Sequence, residues 1–395
     1  MCAGRQTKIS GSISSIQLNK AGDHFFVATK ECTIYLVHLQ SLEFELRNTC
    51  HYGRINDIAF PADYSDLFAT CSVNDIRVWH SQNCTELLRI QVPNLECLCV
   101  AFTHDGKSIV SGWNDGKIRA FRPQSGQLMY VLNDAHAGGV SALVCAKNNQ
   151  TLVSGGKDGQ VRVWAISART QKMVASMKEH KGPVNSVVLS NDDTECISCS
   201  DDGSCIVWNL EKFVRNNCYF ATTQFKAALY HPDQSQILTA GTDRKITYWD
   251  AVDGQAIRIM DGSPTSEINT LSITADGERF VSGGGDKIVK LFGYDDGFCY
   301  YRGVGHSGAI TKVLVAPNQK FVVSSGDEGG IFVWTLPEQE SKTMSPVEDA
   351  EEEVCVPLKK GESASAAHAC GGNKATTNAS ASELAVNKLF KSARI

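Results

Sequence analysis

One recurrence constrains the fold of this chain more than any other feature. The stretch VSGGKDGQVRVW, residues 153–164, returns in variants that end IRVW at Trp79, IRAF at Phe121, VRVW at Trp164, CIVW at Trp208, ITYW at Trp249, VKLF at Phe292 and IFVW at Trp334. The steps between these aromatics are 42, 43, 44, 41, 43 and 42 residues, and a fainter copy, TIYLV, ends at Val37, 42 residues before Trp79. A period of roughly 40 to 45 residues with four strand-like segments per unit is the pattern of propeller blades. In the unit ending at Trp164, alternation and turn punctuation give VSALVCA as the inner strand, TLVSGG as the second, QVRVWAI as the third and MVASMKE as the outer strand. Lys157, Asp158 and Gly159 join the middle two, with Gly159 expected at positive φ and Asp158 bonded to the turn backbone. The glycines are turn chemistry. A phosphate-cradling loop must open onto a helix, whereas this one turns into a strand.

Composition narrows the classes. With 395 residues and 42% apolar content the chain can bury a sizeable core. Its net charge of -5 removes the positive field expected of a nucleic-acid or anionic-membrane binder. MCAGRQTKIS lacks an apolar signal core and no run is long enough to span a bilayer, so the expected location is the cytoplasm or nucleus. Fifteen scattered cysteines are expected to be reduced core thiols, and no cofactor or metal is called for. Cys196 and Cys199 form a CxxC box, but on a strand residues three apart point to opposite faces, which disfavours chelation.

A second regularity lies inside the units. Ser or Thr stands ten residues before the aromatic and Asp six before it in five consecutive units: Ser111 and Asp115, Ser154 and Asp158, Ser198 and Asp202, Thr239 and Asp243, Ser282 and Asp286. A histidine precedes the inner strand in DAHAGGV and KEHKGPV. The pattern resembles the WD-repeat family, in which Asp, His, Ser/Thr and Trp form a buried hydrogen-bonded tetrad. The resemblance assigns this role to His136, Ser154, Asp158 and Trp164, and to His180, Ser198, Asp202 and Trp208. The last unit has His306, Ser324 and Trp334 but Glu328 at the Asp position, so a looser tetrad is expected there. A hydrolase triad must occur once, in a cleft, with a reachable nucleophile, so these repeated trios are read as structural and no catalytic residue is assigned. No third strand continues into the Trp-Asp-x-Arg ending that WD-repeat receptors present to cullin ligases.

The segments FATCSVNDIRVWHSQNCTELLRIQVPN, SGWNDGKIRAFRPQSGQLMYV and TAGTDRKITYWDAVDGQAIR are more specific. They resemble the second half of the cilia- and flagella-associated double-propeller WD-repeat proteins, microtubule inner proteins of the axonemal doublet; the likeness runs over residues 11–337. It implies an all-β, seven-bladed propeller over 44–337, closed by FELRNTC at 44–50, with a displaced three-stranded blade-like unit within 1–43 as the last unit of a first propeller. An eight-bladed ring closed by RQTKIS is the alternative. Residues 338–395, rich in Ala, Ser and Gly, are expected to be disordered apart from a short helix in SELAVNKLFKSARI. The resemblance also implies a non-enzymatic scaffold, monomeric within a larger cytoskeletal assembly of the axoneme, with tubulin and other doublet proteins as partners and doublet stability and motility as its role. A cytosolic WD-repeat adaptor in ubiquitin or signalling complexes is the alternative. Charged turn residues Lys157, Asp201, Arg244 and Lys287 form a candidate binding rim.

Overall fold

The computed structural model describes residues 6–9, 11–167 and 169–337, together with the backbone of a strand at Ser392–Arg394. Every element among them is a β-strand. The period in the sequence becomes a ring of blades, each an antiparallel sheet whose strands follow in chain order. Blade 1 comprises Asp57–Ala59, Leu67–Cys71, Val73–His80 and the first half of the long strand Thr85–Phe102. The second half of that strand is the inner strand of blade 2, followed by Ile109–Trp113, Ile118–Phe121 and Leu128–Leu132. Blade 3 begins at Val140–Cys145, blade 4 at Val184–Leu189, blade 5 at Phe225–Tyr230, blade 6 at Ile268–Ile273 and blade 7 at Ile310–Val315.

Alternation along each strand puts apolar side chains on both faces, so every blade is sandwiched between two neighbours. Trp164 packs with Cys99, Val110 and Ile118 of blade 2, and Trp208 with Val153, Val163 and Met177 of blade 3. Burying one such ring removes roughly 150–250 Å² from water, on the order of 4–6 kcal/mol at about 25 cal/mol per Å². Polar staples around the central channel fix the order of the blades. Asn56 donates to the carbonyl of Cys97 at 2.8 Å, Ser141 to Val184 at 2.5 Å, Asn185 to Phe225 at 2.7 Å and Asn269 to Ile310 at 2.9 Å, each reaching the next inner strand. The channel they surround has a volume of about 740 Å³.

The circuit closes between blades 7 and 1. The inner strand of blade 7 packs on that of blade 1, the Ile55 N–H donates to the Gly326 carbonyl at 3.4 Å, and Lys312 pairs with Asp57 at 3.1 Å. Beneath them Ile55, Ile58, Phe68 and Trp79 share one core with Val323 and Ile331.

Four expectations about the ends of the chain are corrected. FELRNTC does not close the ring: Phe44–Thr49 pairs antiparallel with Thr33–His38 as the fourth strand of a separate sheet that also holds Ile13–Leu18 and His24–Thr29. The N-terminal unit therefore has four strands and reaches Thr49, beyond the boundary at 43. The physical reason is local: positive φ at Leu42 (58°) turns the chain straight back onto the strand before it. Residues 6–9 of RQTKIS form no strand, and the fourth strand of blade 7 is Ser392–Arg394, with Val333 opposite Ala393. Those three residues are extended where a helix was expected. The rest of the expected tail and helix lies outside the described residues.

Candidate functional site: buried tetrads and the hairpin rim

In blade 3 the hairpin Lys157-Asp158-Gly159 aims the Asp158 carboxylate back at the loop that precedes the inner strand. Gly159 has φ 72°, and a Cβ there would stand 2.7 Å from the His180 carbonyl of the next blade. The Trp164 Nε1–H donates to Ser154 Oγ at 2.9 Å, Ser154 meets His136 Nε2 at 2.8 Å, and His136 Nδ1 meets Asp158 at 2.9 Å. The chain of bonds is consistent with one tautomer: Nδ1–H donates to the carboxylate, and Nε2 accepts from the serine hydroxyl. Blade 4 repeats it through Trp208, Ser198 and His180, with Ser204 bridging His180 to Asp202.

Burial pushes His136 and His180 below the ordinary histidine value, which favours the neutral ring. Burial alone would raise Asp158. Hydrogen bonds from His136 and from the backbone N–H groups of Ala137 and Gln160 outweigh it and hold the carboxyl below its usual range. Ser154, Ser198 and Ser324 are wholly buried, and each hydroxyl is shared between a tryptophan and a histidine, which leaves none of them placed as a nucleophile.

The last blade completes its tetrad with glutamate, although Glu328 Oε2 is buried without a hydrogen-bond partner among the described residues. Glu328 reaches His306 Nδ1 at 2.6 Å, His306 Nε2 meets Ser324 at 2.7 Å, and Trp334 donates to Ser324 at 2.7 Å. The extra methylene of glutamate fits because Gly326 offers no side chain in its path.

A fourth complete tetrad escaped the spacing rule. His51 meets Thr70 at 2.7 Å and Asp75 at 2.8 Å, and Trp79 donates to Thr70 at 2.8 Å. Thr70 and Asp75 lie nine and four residues before the aromatic, because this blade uses a tighter hairpin with Asn74 at φ 70°. The legible signal was HYGRI, which has the His-x-Gly-x-apolar pattern of HAGGV and HSGAI. Around it Arg77 bonds Asp75 at 2.8 Å and Thr49 at 2.8 Å, and Arg89 bonds Thr49 at 3.0 Å, tying the N-terminal sheet to blade 1.

Two of the three blades without the histidine pair the hairpin aspartate with a cation two residues before the aromatic, while blade 5 has Thr247 there. Arg119 pairs with Asp115 at 2.6 Å beside Phe121, and Lys290 pairs with Asp286 at 2.6 Å beside Phe292. In blade 2 the indole N–H for Ser111 comes from Trp113 instead, at 2.9 Å.

The candidate rim divides. Lys157, Arg244 and Lys287 are exposed on equivalent hairpins. Asp201 is not free for a partner: it takes Lys226 Nζ and Asn185 Nδ2, both at 2.7 Å, and braces blade 4 against blade 5. Cys196 packs with Val161 and Trp208, whereas Cys199 packs with Cys205 and Trp249, so the CxxC residues serve different cores.

The repeats match the family described as WD domain, G-beta repeat, over residues 126–165, 171–209, 254–293 and 297–335. Over 344 residues the chain is 55% identical to cilia- and flagella-associated protein 52 of Chlamydomonas reinhardtii, covering 86% of this chain and 56% of the relative. The chain belongs to the WD-repeat family of that ciliary protein. The Homo sapiens member is 45% identical and the Bos taurus member 44%, each over 84% of this chain and 54% of the relative. The chain thus spans about half the length of these curated relatives. Membership in the family associates the chain with the cilium or flagellum and makes it a repeat scaffold suited to protein contacts.

Proposed function

We propose that the chain is a non-enzymatic scaffold of the axoneme, monomeric within a larger assembly, that binds tubulin and neighbouring inner proteins of the doublet microtubule and thereby supports doublet stability and motility. The observation that carries this reading is the 55% identity to a cilia- and flagella-associated protein over 86% of this chain. The physical support is the division of labour within blades 1, 3, 4 and 7. There the carboxylate, imidazole and hydroxyl are sealed in a hydrogen-bonded core, while the hairpins and the interblade loops that face solvent are held rigid by it. Rigid loops on a closed ring bind proteins with little ordering entropy to overcome. The N-terminal sheet, with Ile13, Ile16, Leu18 and Phe44 exposed, is read as a blade-like unit outside the ring. The experiment is retention: a fluorescently marked chain should remain with detergent-extracted, salt-washed axonemes and be missing from the soluble fraction. Complete release by detergent alone refutes the axonemal assignment.

A further inference from the structure

Each of the seven hairpins between second and third strands holds the residue five before the blade aromatic in left-handed backbone. Four of these residues are glycine: Gly116, Gly159, Gly203 and Gly329, with φ of 76°, 72°, 82° and 76°. Blade 1 uses Asn74, of a residue type that tolerates this region better than most. Blades 5 and 6 depart from the rule and carry Arg244 and Lys287, both at φ 67°. A side chain with a Cβ is disfavoured there relative to glycine, and the turn itself does not need a cation. The Lys287 side chain makes no hydrogen bond or ion pair among the described residues, and the Arg244 side chain uses one donor, Nη1, on the Pro264 carbonyl at 2.8 Å.

The two hairpins are neighbours on one rim. The blade 5 hairpin borders a cleft of about 480 Å³ that runs to the outer part of blade 6, lined by Arg244, Lys245, Lys290 and Arg302, against Asp243 and Asp261, with Lys287 outside its lining on the neighbouring hairpin. Lys290 is committed to Asp286 and to the Gly262 carbonyl, so the exposed cations are Arg244, Lys245 and Lys287. Phe298, half exposed, stands beside them as an apolar contact.

We infer that this cleft, with the Arg244 hairpin that lines it and the exposed Lys287 on the neighbouring hairpin, docks an acidic segment of a partner protein, with clustered carboxylates adjoining an apolar residue. A guanidinium presents a planar fork to a carboxylate, and two ammoniums on either side add charge without demanding one geometry. A nucleic-acid strand fits less well, because its unbroken run of phosphates would pass Asp243 and Asp261, and the chain carries a net charge of -5. The inference rests on the scaffold reading only for taking the partner to be a protein.

The test uses the full chain and a fluorescein-labelled peptide of six glutamates and one leucine, read by anisotropy at low salt. Saturable binding is expected, about tenfold weaker when glutamine replaces glutamate, and weakened again as salt rises. The double variant R244G/K287G should lose at least about fivefold in affinity while melting no lower than the parent chain, since glycine is what four other hairpins use. R244K/K287R should retain binding. Equal binding by R244G/K287G, no saturable binding, or tighter binding of a single-stranded oligothymidylate overturns the inference. Axoneme retention without peptide binding sinks this surface alone. Peptide binding without retention sinks the axonemal reading and leaves the surface standing.

Discussion

At the scale of single residues, stability concentrates in the tetrads, where one indole, one hydroxyl, one imidazole and one carboxylate satisfy each other out of water. Trp164→Ala removes a ring that is 6% exposed and takes the indole donor from Ser154, so a loss of about 3 to 5 kcal/mol is expected. Thr70→Ala breaks the tetrad of blade 1, which the ten-residue spacing rule does not find, and should lose about 1 to 3 kcal/mol. Denaturant titration measures both. An unchanged midpoint for Thr70→Ala would mean that His51, Thr70, Asp75 and Trp79 do not act as a unit. The spacing rule missed them for a simple reason: in a hairpin shortened by one residue Thr70 moves one place and Asp75 two, to the far side of Asn74, yet both still reach His51.

At the scale of elements, the outer strand of blade 7 adds only three paired residues, whereas the seam between blades 7 and 1 has an apolar core, a backbone bond and an ion pair. Residues 1–337 alone should therefore stay soluble and melt cooperatively, within a few degrees of the full chain, a shift of about 1 kcal/mol or less. Aggregation of that fragment would show that covering the edge of Ile331–Thr335 is essential. The strands also govern the thiols. Among the described residues Cys71, Cys97, Cys99, Cys196, Cys199 and Cys205 are buried thiols, and Cys196 and Cys199 face different cores. Reductant is expected to leave the melting temperature unmoved, and a mapped Cys196 to Cys199 bridge would contradict the strand at Glu195–Ser200.

For the whole molecule, the tetrads act together on the pH dependence of folding. Burial lowers His51, His136 and His180, so the unfolded chain takes up protons below about pH 6.5 while the folded chain resists them. Where the unfolded state binds more protons, stability rises with pH, and it is therefore lost as pH falls through that range. Asp75, Asp158 and Asp202, all lowered, contribute stability above about pH 4 that is lost on further acidification. The melting temperature should fall steadily from pH 7.5 to pH 5 at constant ionic strength. A flat profile would mean that the buried imidazoles are charged in the folded state.

The sequence by itself determined the repeat, the strand order within each blade and the partners of three tetrads, because all of these depend on contacts within about forty residues. It also carried the hairpin glycines, whose positive φ is a local demand, and the contrast at Arg244 and Lys287 was visible as the same position filled differently. Only the tertiary structure decided how the ring closes. Phe44–Thr49 has the alternation of an outer strand in either sheet, and the choice lies with the turn at Leu42, which returns it to Thr33–His38 before any distant edge can compete. The closing contacts, Ile55 on Gly326 and Lys312 on Asp57, join residues more than 250 positions apart, and no periodicity in the chain encodes such a pairing. Asp201 shows the same division at a single residue. Its turn reads as a solvent-facing charge, and only the approach of Lys226 from the next blade converts it into a brace.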